Sequence, residues 1–224
     1  MTRSAILHTH PATIEPLVAL AAELLPGVEV VNIADDSILA ELMRNGGDVE
    51  PVAGRLVSYA RLPAEAGADV ILNACSSVGE VVAREQAAVR VPVVRIDDAL
   101  AEAAVLRGPK IGVVATIATT LNPATRRLYA KAQAAGRALT IKPVLVSGAF
   151  ERLAAGDRDG HDQLLLAALR ALASEVDVVV LAQVSMARVL PRLTDAERAK
   201  CLTSPRLGLE AVRPAMTALP TPAA

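Results

Sequence analysis

DVILNACSS, running from Asp69 to Ser77, returns as DVVVLAQVS from Asp177 to Ser185. Each reads as an apolar strand that breaks into a short polar loop. The echo is longer than these strings. AILHTHPATIEP (Ala5 to Pro16) parallels GVVATIATTLNP (Gly112 to Pro123), with Thr9 over Thr116, Thr13 over Thr120 and Pro16 over Pro123. Glu102 in ALAEAA and Glu210 in LGLEAV stand at the same separation as Cys75 and Gln183. Nearly one offset and one strand order run through the set, so the chain is expected to be a duplicated α/β half. Chance likeness among Ala/Val-rich strands is the competing explanation.

Strand-length apolar runs alternate with longer stretches of helical period along the chain. Strands are expected at Ala5–Leu7, Val28–Ile33, Val70–Ala74, Val93–Ile96, Ile111–Ala115, Leu139–Val146, Val178–Ala182 and Cys201–Thr203. Helices are expected over Ile14–Leu25 and Leu164–Ala173, among others. This alternation predicts parallel sheets with right-handed crossovers, here as two similar Rossmann-like lobes related by a pseudo-twofold axis. The charged turn LRGPK, Leu106 to Lys110, is the best boundary. It gives a first lobe over 1–106, with a C-terminal helix over 205–224 as a candidate to complete it, and a second lobe over 107–204. Hydrophobic residues reach 53% while aromatics are 1%. Such a core is built from small aliphatic contacts, as where helices cover a parallel sheet.

Lys plus Arg is 23 against 24 for Asp plus Glu. No basic face follows, and with so few aromatics for base stacking, nucleic acid is not an expected partner. No stretch approaches a membrane span, and the N-terminal MTRSAILHTH is too short in its apolar run for a signal peptide. Two cysteines make no disulfide framework, and the expected location is cytoplasmic. No Cys/His spacing fits zinc and no Gly-rich fingerprint supports a nucleotide, so neither metal nor cofactor is expected. GDRDGHDQ, Gly156 to Gln163, gathers carboxylates around His161, and reads as a helix connection with Asp capping rather than a metal site.

In open parallel sheets ligands bind beyond the carboxyl ends of strands, where the following helices present free N–H groups. Four loops qualify: HTHPAT (His8 to Thr13), CSSVGE (Cys75 to Glu80), TIATT (Thr116 to Thr120) and QVSMAR (Gln183 to Arg188). Rich in hydroxyls and poor in Lys and Arg, they suit a small carboxylate. Cys75 at a helix start, with Ser76 and Ser77 available as caps, is expected to have a lowered pKa. The competing explanation is an inert, buried thiol. Asp35 and Asp36, with Ser37, read first as a helix cap and only secondarily as site residues. Asp97 or Asp98, after Arg95, reads as another cap.

NACSSVGE around Cys75, VVATIATTLNP around Thr116, VVLAQVSMARV around Gln183 and SPRLGLEAV near the C-terminus resemble the Asp/Glu/hydantoin racemase superfamily of cofactor-independent enzymes. The resemblance implies a two-lobed α/β fold with the active site in the cleft between lobes. It also implies two cysteines flanking the substrate's α-carbon, one removing the proton and the other returning it. By position, Cys75 matches the first cysteine, Ser76 and Ser77 the polar residues after it, and Thr116, Thr119 and Thr120 a carboxylate-binding loop. Gln183 stands where the second cysteine belongs, followed by Val184 and Ser185. His8, Thr9 and His10 replace the acidic first loop of the amino-acid racemases.

A glutamine amide is neither acid nor base at ordinary pH, so symmetrical two-thiol inversion is disfavoured. Gln183 suits a carboxylate or a developing oxyanion instead. Three mechanisms remain: proton transfer to an enediolate by Cys75 after loss of CO₂ or in isomerisation, covalent addition of Cys75 to an unsaturated diacid, or an unsymmetrical pair of Cys75 with His8 or His10. Thr9, Ser76, Ser77, Thr116, Thr119, Thr120, Gln183 and Ser185 are the expected binding residues. A non-catalytic small-acid binding protein is the competing class, although a binder needs no thiol at position 75. Cys201, in the strand-like KCLTSP, is expected in the core. A homodimer is a candidate assembly.

Overall fold

A computed structural model describes residues 2–217 of the chain. It divides into two compact units, one made of the chain up to Ile96 and from Pro205 onward, the other of Asp97–Ser204.

The first unit runs β1 (Arg3–His8), α1 (Ile14–Leu24), β2 (Glu29–Ala34), α2 (Asp36–Arg44), α3 (Glu50–Glu65), β3 (Val70–Asn73), α4 (Val82–Ala88) and β4 (Val93–Arg95). The second runs α5 (Asp98–Arg107), β5 (Lys110–Ala115), α6 (Ala118–Ala134), β6 (Thr140–Leu145), α7 (Ala149–Ala154), α8 (Arg158–Ala173), β7 (Val178–Leu181), α9 (Asp195–Lys200) and β8 (Cys201–Thr203). α10 (Ser204–Glu210) and α11 (Val212–Thr217) follow. Every expected strand forms, with ends shifted by a residue or two. The helix expected at 164–173 starts earlier, because Asp157 accepts the Gly160 N–H at 2.9 Å and opens α8 at Arg158. Asp capping in GDRDGHDQ is therefore right, and most of that string is helix.

Each unit holds a four-stranded parallel sheet, in the order β2-β1-β3-β4 and β6-β5-β7-β8. The registers also coincide. Ser4 lies beside Val70 and Ile111 beside Val178, while Ile71 lies beside Val93 and Val179 beside Cys201. The repeated aspartates explain part of this. Asp69 accepts the Arg3 N–H at 2.7 Å, and Asp177 accepts the Lys110 N–H at 2.9 Å, so each pins the start of its central strand to the next. Two similar α/β lobes are what the duplicated pattern predicts.

The central strands β3 and β7 are buried on both faces, which is why they read as continuous apolar runs. β6 is an edge strand and tolerates Pro143, whose missing N–H costs a ladder bond only in a sheet interior. In the first unit Ala5, Leu7 and Ile71 pack with Ala60 and Ala68. In the second, Val114, Val179 and Leu181 pack with Leu165, Leu169 and Met186.

The helices after the fourth strands are exchanged. α5, following β4, belongs to the second unit, and the chain from Pro205, following β8, belongs to the first. The second unit thus begins at Asp97, ahead of the LRGPK turn. Of the C-terminal helix expected over 205–224, α10 and α11 carry the part up to Thr217, and 218–224 lie outside the described residues.

α10 docks closely enough to require Gly208. A Cβ there would stand 2.6 Å from Ile96 Cγ1 and 2.7 Å from the Ile96 carbonyl oxygen. The oxygen belongs to the backbone and cannot rotate away. Gly208→Val is expected to destabilise the chain by about 1–3 kcal/mol, the usual cost of overpacking, read as a lower urea midpoint.

Candidate active site

In both sheets the strand order reverses between the two central strands, β1 and β3 in one unit and β5 and β7 in the other. At such a reversal, helices leave the sheet in opposite directions, and the carboxyl ends of the strands are where sheets of this kind bind ligands. Thr9 follows β1 and Cys75 follows β3 by two residues; Thr116 follows β5 and Gln183 follows β7 by the same step. The same topology therefore sets a threonine beside a polar partner twice.

In the first unit that partner is sulfur. The Thr9 hydroxyl, the Ser77 hydroxyl and the backbone N–H groups of Ser77 and Val78 are the polar groups that favour the Cys75 thiolate. Yet burial pushes the thiol's pKa up, and these donors only oppose the rise. The lowered pKa expected from sequence is reversed. Cys75 holds the N-cap position of a 3-10 turn, Ser76–Val81, without a side-chain capping bond, and α4 starts only at Val82, so no full helix dipole meets the sulfur. It packs against an aliphatic cluster that includes Ile38, Leu56, Val78 and Val81. Cys75 rests as a thiol inside a cradle that would stabilise the thiolate once formed.

His8 and His10 hold the first loop. The buried His8 ring contacts Thr13 Oγ1 at 2.8 Å through Nδ1 and Asn32 at 2.9 Å through Nε2. Thr13 Oγ1 donates to the His10 carbonyl, so toward His8 it can only accept, and Nδ1 carries the ring proton. Burial lowers the His8 pKa and outweighs the hydrogen bond to Asn32 Oδ1, which favours the protonated ring. With both nitrogens engaged, His8 is geometrically an anchor. His10 accepts the Ala12 N–H on Nδ1 at 3.2 Å and caps the Pro11–Thr13 turn. Burial lowers its pKa too, with the Asp36 carboxylate opposing.

In the second unit the partner is an amide. Gln183 Oε1 accepts from the Thr116 N–H at 2.6 Å and from the Thr116 hydroxyl at 2.9 Å. With Oε1 used twice, what Gln183 offers a ligand is its N–H pair. Thr119 lies in the first turn of the long α6, with its buried Oγ1 lacking a partner among the described residues. Thr120 is buried, and Ser185 is half-buried in the 3-10 segment Val184–Arg192. That segment is tied to α8 by the buried Asp162, which meets Arg188 at 3.1 Å, Arg192 at 3.4 Å and His161 Nδ1 at 2.9 Å.

Asp35 is a cap, as its sequence suggests. It accepts from the Ser37 N–H and hydroxyl and from the Tyr59 hydroxyl, and it pairs with Arg55. Asp97 occupies the N-cap position of α5 without a side-chain capping bond, and Asp98 pairs with Arg127 and Lys131. Arg95 lies against Gly79, where a Cβ would meet its guanidinium carbon at 2.3 Å. Cys201 sits in the core of the second unit, where burial and the Glu197 carboxylate push its thiol up to about 11.

Two residues next to Cys75 escape the sequence reading. Asn73 Oδ1 accepts the Cys75 N–H at 3.2 Å, and Asn73 Nδ2 donates to Glu85 at 2.9 and 3.1 Å. Glu85 is 0% exposed, and burial outweighs the Asn73 hydrogen bonds to raise its carboxyl to about 7. The available signal is periodic: Glu85 stands midway between Val81 and Val89 at a spacing of one helical turn, a carboxylate interrupting an apolar pattern.

Comparisons with known proteins agree with this architecture. The family model for Asp/Glu/hydantoin racemase matches residues 12–212. Among solved structures, Picrophilus torridus aspartate racemase is 12% identical, covering 97% of this chain and 95% of that one, with a TM-score of 0.73. Allantoin racemase from Klebsiella pneumoniae is 20% identical, covering 99% and 91%, at 0.68. A cysteine-substituted arylmalonate decarboxylase in a sulfate-associated form is 18% identical, covering 99% and 97%, at 0.60. No curated protein matches the sequence. The chain belongs to the Asp/Glu/hydantoin racemase family and is an enzyme of the racemase/isomerase type. Among the described residues no helix is long and apolar enough to cross a membrane.

Two outcomes test the electrostatics. Iodoacetamide should alkylate Cys75 in the native protein more slowly than a free model thiol at neutral pH, with a rate still climbing above pH 9, read by peptide mass. Folded Glu85 keeps its proton up to about 7, whereas its ordinary value is 4.5. The folded state thus binds more protons between those values, and its stability falls as pH rises through them, by about 3 kcal/mol for this group. His8 and His10 act with opposite sign below their ordinary pKa. Urea midpoints of Glu85→Gln minus wild type, at pH 5 and pH 8, should isolate the Glu85 slope.

Proposed function

We propose that this chain is a cofactor-independent enzyme that moves a proton at the carbon α to a small carboxylate, with Cys75 as its one catalytic thiol. The observation that carries this reading is the cradle around Sγ, formed by Thr9, Ser77 and Val78. A merely structural cysteine has no use for donors that stabilise its anion. Thiolate formation and thiol re-formation are then both within reach during turnover.

Gln183 is the second unit's neutral polar group, suited to a small carboxylate. Its N–H groups and the Thr119 hydroxyl, at the N-terminus of α6, donate to the carboxylate or to the enediolate oxygen. Thr116 acts through Gln183, whose orientation it holds, and Ser76, Thr120 and Ser185 line the same loops. His8 fixes the loop that carries Thr9.

With one thiol, the proton returns to the face from which it left. Cys75 thiolate takes the α-proton, giving an enediolate and a thiol, and the thiol gives a proton back. Exchange without inversion follows unless a second donor serves the opposite face.

A second reading is decarboxylation of a small diacid. The raised thiol pKa favours it, since a thiol protonated at rest is ready to quench the carbanion left when CO₂ departs. The likeness to arylmalonate decarboxylase supports the same chemistry.

Incubation in D₂O with amino acids, hydroxy acids, malonates and unsaturated diacids separates the readings. Deuterium at the α-carbon without net change marks reversible proton transfer, and CO₂ release marks decarboxylation. Cys75→Ser should lower turnover by about 10²–10⁴-fold with carboxylate binding retained. Thr119→Ala should weaken binding about 5–10-fold, the worth of one hydrogen bond. Full activity in Cys75→Ser would remove the thiol from the mechanism.

A further inference from the structure

We propose that Asn73 and Glu85 are positioning residues for Cys75: the buried Glu85 carboxyl orients the Asn73 amide, whose oxygen fixes the Cys75 backbone N–H and so sets Sγ in its donor cradle. The proposal deepens the assignment of Cys75 as the reactive group and rests on it.

The chain of contacts is continuous and local. Asn73 is the last residue of β3 and Cys75 lies just beyond, where the strand turns into the Ser76–Val81 segment. Ala74, the first residue past β3, still pairs with Leu7 at 3.0 Å, but the next N–H, that of Cys75, has left the ladder and Asn73 Oδ1 accepts it at 3.2 Å. An asparagine amide can rotate by half a turn and present NH₂ instead. Glu85 prevents this by accepting from Nδ2 at 2.9 and 3.1 Å. A carboxylate can only accept, so it dictates which end of the amide faces it, and the other end is left for Cys75.

A protonated Glu85 loses that control. One oxygen can then donate as well as accept, so either end of the Asn73 amide can face the carboxyl and Oδ1 is no longer reserved for Cys75. Because burial brings the Glu85 carboxyl up to about 7, the change falls within the neutral range. Other charged groups on the surrounding elements are committed elsewhere. Arg84, on the outer side of α4, pairs with Glu50 of α3, and Arg55 of α3 pairs with Asp35 and Glu41. On β4, Arg95 lies beside Asn73 in the sheet but stacks on Gly79, while Glu80 of the 3-10 segment is exposed. Only burial and Asn73 act on the Glu85 proton.

The test uses the full chain and needs no substrate. The rate of Cys75 alkylation by iodoacetamide is measured from pH 5.5 to 9.5 for wild type and Glu85→Gln. In wild type, the rate corrected for thiol ionisation should change by about threefold or more with a midpoint near 7, as expected of residues coupled in one hydrogen-bond network. Glu85→Gln should keep the thiol ionisation and lose that step. In wild type alone, the Cys75 amide resonance should titrate with the same midpoint as the Glu85 carboxyl resonance, which keeps the test open if the variant does not fold. A wild-type profile with no step near 7, a step that survives in Glu85→Gln, or a Cys75 amide that ignores the Glu85 titration would overturn the proposal. Absence of turnover on every substrate would count against the proposed function and leave this result standing. A flat profile in an enzyme that Cys75→Ser inactivates would remove the relay and leave the function standing.

Discussion

Parallel pairing of the two central strands, β1 with β3 and β5 with β7, is the constraint on which the rest depends. It brings the residue after one strand within reach of the residue after the other, at the point where the sheet order reverses. In the first unit this joins Thr9 to the Cys75 sulfur; in the second it joins Thr116 to the Gln183 amide. The registers are the same because Asp69 and Asp177 hold the starts of the strands in the same way. Change the register by one residue and each threonine would point to the opposite face of its sheet.

The duplicated frame carries unlike chemistry. A sulfur surrounded by donors can exchange a proton, whereas an amide with its oxygen already occupied can only donate hydrogen bonds. Burial sharpens this difference. It keeps the Cys75 thiol protonated, the His8 ring neutral and the Glu85 carboxyl near its titration point. Desolvation thus sets the resting proton inventory of the first unit more than any single charge does.

Much of the fold was legible because its signals are local. Eight apolar runs of strand length, the echo between halves and the caps at Asp35 and Asp157 depend on residues close together in sequence, and each appears in the structure. The exchange of α5 and the C-terminal helices between units was only partly legible. A helix with an apolar face carries no label for the sheet it will cover. Gly208 records that choice only through its close approach to Ile96.

The sequence by itself determined the alternation of strands and helices, the repeat, the family and the presence of Gln183 at the position in the second half that Cys75 holds in the first, since residue type and spacing suffice for these. The tertiary structure alone decided the protonation of Cys75, the engagement of both His8 nitrogens and the presence of Glu85 behind Asn73. Each of these is governed by the loss of water around a polar group and by partners distant in sequence. Desolvation is a property of the finished packing, so no string of residues around Cys75 could disclose that its thiol would rise rather than fall.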